Sequence, residues 1–117
     1  MMKDFPQINK DLATNSQKLG QAAPEQMKAF YGFGKTVYAD GALSPKVKEL
    51  IALCLGVAAH CDGCLAHHAA ACLKHGATRE EVVEALLVAM HMGGGPSMVY
   101  ATDALLSYDQ AVAAKEA

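Results

Sequence analysis

At 117 residues the chain has room for one compact domain and not for two, so residues 1–117 are expected to form a single unit. Ten lysines and arginines against 12 aspartates and glutamates leave a formal charge of -2, which offers no positive field for a phosphate backbone and removes nucleic acid from the expected partners. Apolar types reach 52% while charged types stop at 19%, so disorder is excluded, and the surplus apolar surface is most simply buried against copies of the same chain.

The N-terminal stretch mixes charges and amides with single apolar residues and lacks the apolar centre of a secretory signal, which leads to the expectation of a cytoplasmic protein. Ile8 to Leu19 read as a polar, weakly amphipathic helix ending near Gly20. Pro24 sits where a first-turn proline belongs, and Met27, Phe30, Tyr31, Gly34, Val37 and Tyr38 recur at helical spacing, predicting a second helix that ends around Ala39. Ser44 as N-cap and Pro45 as first residue open a third, with Val47, Leu50, Ile51, Cys54 and Ala58 as its inner stripe. Leu53, Leu55 and Val57 make its other side apolar too, which predicts burial nearly all round. The longest apolar run, Leu50 to Ala59, is about half of the roughly 20 residues a membrane span needs, so no membrane segment is expected.

A break at His60 to Gly63 precedes a fourth helix from about Cys64 to Lys74, with Asp62 as its expected cap and Gly76 closing it in the left-handed conformation. Thr78 with Glu81 three residues later reads as a capping box for a fifth helix through Val82, Ala85, Leu86, Ala89 and Met90. Gly93, Gly94, Gly95 and Pro96 stop it, and a last alanine-rich helix runs from about Ser97 to Ala113. No segment sustains the period of two that a strand requires. The fold class is therefore all-α, with about six helices.

Chemistry concentrates around His60-Cys61-Asp62-Gly63-Cys64-Leu65-Ala66-His67-His68. Cys64, in the first turn of a helix, meets unpaired backbone amides and the positive dipole end, both of which favour a thiolate. His68 lies four residues on along the same face and can take the thiol proton; His67, three residues on, is the competing base, and spacing leaves the choice open. Cys61 is placed to attack an oxidised Cys64 and form a disulfide. Cys54 and Cys72 read as small core residues. Zinc would find ligands in Cys61, Cys64 and one histidine, but a structural site draws four ligands from two clusters and no second cluster follows, so no metal is expected. His75 reads as a C-terminal cation on the helix dipole, and His60 and His91 as local polar groups. Glu49 either serves the dipole of the third helix or, on the stripe it shares with His60, faces the fourth helix, where a carboxylate beside a histidine would strengthen that base.

Glu49, Cys61, Cys64 and His68 together spell E-x11-C-x2-C-x3-H, which resembles the active-site signature of the AhpD-like alkyl hydroperoxidases within the carboxymuconolactone decarboxylase superfamily. The resemblance runs from about Ser44 to Tyr100, and the tail Met92-Gly93-Gly94-Gly95-Pro96-Ser97-Met98-Val99-Tyr100 is similar to that of the small single-domain members. It implies an AhpD-like helical bundle assembled as a trimer or hexamer. It also implies peroxidase or disulfide reductase activity in antioxidant defence, with Cys64 as peroxidatic cysteine, Cys61 as its partner and Glu49 in a proton relay through His68. No bound cofactor is required; the electron donor is an external dithiol, for which the resemblance points to a lipoyl group. One departure stands out: where the well-studied members carry a further histidine immediately before the second cysteine, this chain has Gly63. The alternatives are a non-catalytic redox sensor using the same cysteines and a decarboxylase-type lyase, against which the CxxC pair argues.

Overall fold

The computed structural model describes residues 2–117, and six helices account for most of them: α1 (Phe5–Ala22), α2 (Pro24–Val37), α3 (Pro45–Ala58), α4 (Asp62–Lys74), α5 (Arg79–Gly93) and α6 (Gly95–Glu116). No strand occurs among the described residues. The caps explain most of the boundaries. Ser44 Oγ accepts from the Val47 amide at the start of α3, and Thr78 and Glu81 exchange both bonds of a capping box at the start of α5. Gly76 ends α4 in the left-handed region at φ 86°, and Gly94, at φ 75°, separates α5 from α6. α1 is longer than its hydrophobic pattern predicts because Asp4 caps it before Pro6 and its backbone continues through Gly20.

α4 is the central helix, flanked by α3, α6 and α1, while α5 closes the far side against α3 and α6. Its buried face, Leu65, Ala66, Ala69 and Cys72, belongs to one core with Leu53 and Val57 of α3, Val82 and Leu86 of α5, Ala101, Ala104 and Tyr108 of α6, and Phe5 of α1. Buried polar groups are paired: Ser107 Oγ donates to the Leu65 carbonyl at 3.1 Å and Tyr108 Oη to the Ala77 carbonyl at 2.7 Å. Ahead of α1, Lys3 Nζ reaches Asp62 at 2.9 Å and Asp103 at 2.8 Å, strapping the N-terminal segment to the first turn of α4 and to α6.

Two expectations about helix faces are corrected. The inward side of α3 is Glu49, Ala52, Leu53, Gly56 and Val57, whereas Ile51, Leu55 and Ala58 lie exposed on the opposite face, Leu55 at 64%. α3 is apolar all round, so hydrophobicity cannot orient it; the pairing of Glu49 described below turns the acidic side inward. α2, expected from helical spacing, has no buried residue and packs chiefly against α1, leaving Phe30, Tyr31, Phe33 and Val37 exposed.

Candidate active site

The turn between α3 and α4 presents the cysteines. α3 ends with His60 in the left-handed region at φ 55°, its amide donating to the Val57 carbonyl and that of Cys61 to the Gly56 carbonyl, the paired bonds of a Schellman cap. His60 holds a conformation glycine usually takes, and its ring stacks on Tyr100 with centroids 4.6 Å apart. The chain thereby reverses and drops Cys61 at the start of α4. Cys61, not Asp62, is the N-cap: its Sγ accepts from the Cys64 amide at 3.2 Å. Asp62 sits in the first turn instead, held by Lys3. Cys61 and Cys64 are joined as a disulfide, their Cα atoms 5.2 Å apart. Gly56 lets α3 approach this turn closely, since a Cβ there would stand 3.0 Å from Cys64 Cβ.

One turn further along α4, His68 Nδ1 meets Glu49 Oε1 at 2.7 Å. Glu49 is 6% exposed, so the pair crosses from α3 to α4 inside the protein. With the carboxylate accepting the Nδ1 proton, Nε2 of a neutral His68 is left as the acceptor. Tyr38, at the end of α2, lies with its ring 5.8 Å from that of His68, and burial together with the Glu49 charge raises its phenol above the usual range. His67 packs edge-on against His68 at 4.8 Å; desolvation, and then the neighbouring His68, push its imidazole below the usual histidine range.

A hollow of about 430 Å³ opens on the disulfide, walled by Asn9, Leu12, Ala13 and Ser16 of α1, Tyr31 of α2, and His67 and His68. α1 therefore supplies four of the ten residues that line it. Gly63, which stands where the resemblance leads one to expect a histidine, lies against Leu12: a Cβ there would be 3.5 Å from Leu12 Cδ2, so a larger side chain would compete with α1 for the same space.

The sequence-derived residues Glu49, Cys61, Cys64 and His68 thus converge, while others part from them. His60 faces Tyr100 instead of joining Glu49. Cys72 is fully buried, with burial pushing its thiol up to about 12, and half-buried Cys54 donates to the Ala85 carbonyl at 3.3 Å; neither approaches the CxxC pair closely enough to bond. No cluster suited to a metal ion occurs among the described residues. Asn9, Tyr31 and Tyr38 were not legible as site residues. The signal for Tyr31 and Tyr38 is that they share one helical face at a spacing of seven, which predicts the helix and not the site.

A family profile described as "Carboxymuconolactone decarboxylase family" matches residues 24–106. The chain belongs to that family. By sequence, an uncharacterised protein of Cupriavidus necator is 47% identical over 91 residues, spanning 78% of this chain and 80% of the other. "Uncharacterized protein 4 in cox locus" of Paracoccus denitrificans is 37% identical over 82 residues, 70% and 74% of the two chains. The crystal structure of a carboxymuconolactone decarboxylase family protein from Legionella pneumophila, in its apo form, superimposes with a TM-score of 0.88 at 43% identity, covering 91% of this chain and 95% of that one. A crystal structure from Thermotoga maritima gives 0.85 at 25% identity, covering 94% and 96%. Within this family fold, the CxxC pair and the buried Glu49–His68 pair match the dithiol and Glu–His relay of AhpD-type sites and mark a thiol-based redox enzyme.

Proposed function

We propose that the protein reduces hydroperoxides through the Cys61–Cys64 dithiol, drawing electrons from an external dithiol. The observation that carries the reading is the Glu49–His68 pair, buried one turn above the disulfide and bordering the hollow that opens on it. In the reduced enzyme His68 Nε2 takes the Cys64 proton, and Glu49 stabilises the imidazolium that results. The Cys64 thiolate attacks the outer peroxide oxygen, the O–O bond breaks, and the alkoxide takes the proton back from His68 and leaves as an alcohol. Cys61 then attacks the sulfenic acid, releasing water and forming the disulfide. Because Cys61 is the helix cap, the Cys64 amide favours the Cys61 thiolate needed for that second step. A donor dithiol, for which a lipoyl group has suitable chemistry, reduces the disulfide by exchange and leaves oxidised.

The working form in this reading is a homo-oligomer, trimeric or hexameric, of one-domain chains in the cytoplasm. Exposed Leu55, Val88 and Met92 on the α3–α5 face and the aromatic side of α2 support the assembly. Among the described residues no helix is long and apolar enough to cross a membrane. The test is steady-state hydroperoxide consumption with dihydrolipoamide as donor. Many turnovers per chain, lost in Cys64→Ser, are expected; about one equivalent per chain, with no regeneration by any dithiol, would instead indicate a sensor.

A further inference from the structure

We propose that a trough along the outer face of α4 selects hydroperoxides of long-chain carboxylic acids, seating the reactive group at Cys64 and the carboxylate at Lys74 and Lys115. The proposal rests on the peroxidase reading and names its substrate class.

Three hollows adjoin along α4. The first, over the disulfide, shares Asn9 and His67 with a second of about 320 Å³ beside Ala71 and His75. The second shares Asn9, Ala70 and Lys74 with a third, of about 460 Å³, between α1, α4 and α6. Asn9 borders all three, and its side-chain amide is anchored on the Ala66 carbonyl at 2.8 Å. The path therefore leaves the dithiol, passes Asn9 and enters a groove kept open by small side chains: Ala66 and Ala70 from α4, Ala111 and Ala114 from α6. The walls of the third hollow are mainly apolar, which suits a hydrocarbon chain, while Glu49 and His67 border the shorter passage that leads to it.

The far end is cationic. Lys74 and Lys115 border the groove on different helices, neither is ion-paired among the described residues, and His75 adds a third nitrogen base beside Lys74. By contrast, Lys3, Lys46 and Arg79 each hold a carboxylate. Two free ammonium groups closing an apolar groove complement an amphipathic anion. Length fits as well. Lys74 lies ten residues beyond Cys64 on the same helix, about 15 Å along the axis. An extended chain advances about 1.2 Å per bond, so some 12 bonds on the order of that span separate a carboxylate from the reacting oxygen. A hydroperoxide in the middle of an unsaturated fatty acid meets that separation; small hydroperoxides would reach Cys64 without using the groove.

The experiment compares kcat/KM of the intact protein for linoleic acid 13-hydroperoxide, its methyl ester and a phosphatidylcholine carrying the same acyl hydroperoxide, in wild type and Lys74→Gln/Lys115→Gln. The free acid should be preferred over both esters by about tenfold or more, chiefly through KM, as expected of a charge-assisted contact. The double variant should bring the ratio near one. Equal use of acid and ester by the wild type, or a ratio unchanged in the variant, overturns the proposal. Binding of a fluorescent long-chain fatty acid to the oxidised protein is read separately and needs no turnover. It should weaken about tenfold in the double variant and also in Ala70→Leu, which fills the groove without altering charge. If no hydroperoxide is consumed while this binding pattern holds, the peroxidase reading fails and the site stands; absence of binding removes the site.

Discussion

At the residue scale the two sulfurs are not equivalent. Cys61 caps α4, its sulfur accepting from the Cys64 amide, whereas Cys64 lies one turn below a histidine that Glu49 orients. On peroxide treatment, a sulfenic acid reagent should label Cys61→Ser and leave Cys64→Ser unlabelled; the reverse pattern would reassign the attacking thiol. Glu49 separates the relay from a merely structural role. Glu49→Gln keeps a hydrogen-bonding partner for His68 but removes the charge, so the fold should lose only about 1 kcal/mol. Alkylation of Cys64 in the reduced protein should then need a higher pH, because His68 loses the carboxylate charge beside it. A mass-spectrometric alkylation profile that coincides with wild type would leave Glu49 as a packing residue.

At the element scale the site is a consequence of how α3 meets α4. The Schellman turn at His60 fixes the reversal, Glu49 and His68 bridge the helices one turn along α4 from Cys64, and Gly56 sets the helix spacing at the cysteines. Gly56→Ala adds a methyl group 3.0 Å from Cys64 Cβ, tighter than ordinary packing. One helix must give by a few tenths of an ångström to admit it, at a cost of about 1 to 3 kcal/mol, and the shift of α3 against α4 pulls Glu49 from His68. Thermal unfolding and peroxide turnover should fall together. A variant that melts at the wild-type temperature with full activity would show that the two helices have slack here. A helix-propensity gain from glycine to alanine of up to about 1 kcal/mol works in the opposite direction and is the smaller effect.

At the scale of the whole molecule, what matters is the apolar surface left outside. Ile51, Leu55, Val88 and Met92 line a mostly apolar groove of about 490 Å³ between α3 and α5, and the aromatic side of α2 is similarly open. A self-associating chain accounts for both without disturbing the internal core. Leu55→Glu places a charge at a position 64% exposed in one chain. It should therefore leave the helix content intact, while light scattering at micromolar concentration shows a smaller species than wild type. A wild-type species of one chain's mass would remove this account of the exposed face.

Local chemistry made much of this protein legible in its sequence. Ser44, Pro45, Thr78, Glu81, Gly76 and the Gly93–Pro96 stretch act within a turn of themselves, so they placed the helix boundaries without reference to the rest of the chain. The spacing of Glu49, Cys61, Cys64 and His68 likewise carried the candidate site, because one helical turn links Cys64 to His68. Which side of α3 faces inward was decided only by tertiary structure. With apolar residues all round, periodicity had no minimum, and the buried Glu49–His68 pair broke the tie. The cap of α4 passed from Asp62 to Cys61 for a similar reason: the preceding turn set the register, and Lys3, 59 residues away in sequence, held Asp62 outside it. The walls of the reactive hollow, Asn9, Leu12 and Tyr31, come from helices distant in sequence from the cysteines they cover. Nothing in their local pattern records that packing, since a side chain's neighbours across a helix interface are fixed by the crossing of whole helices and not by its own turn.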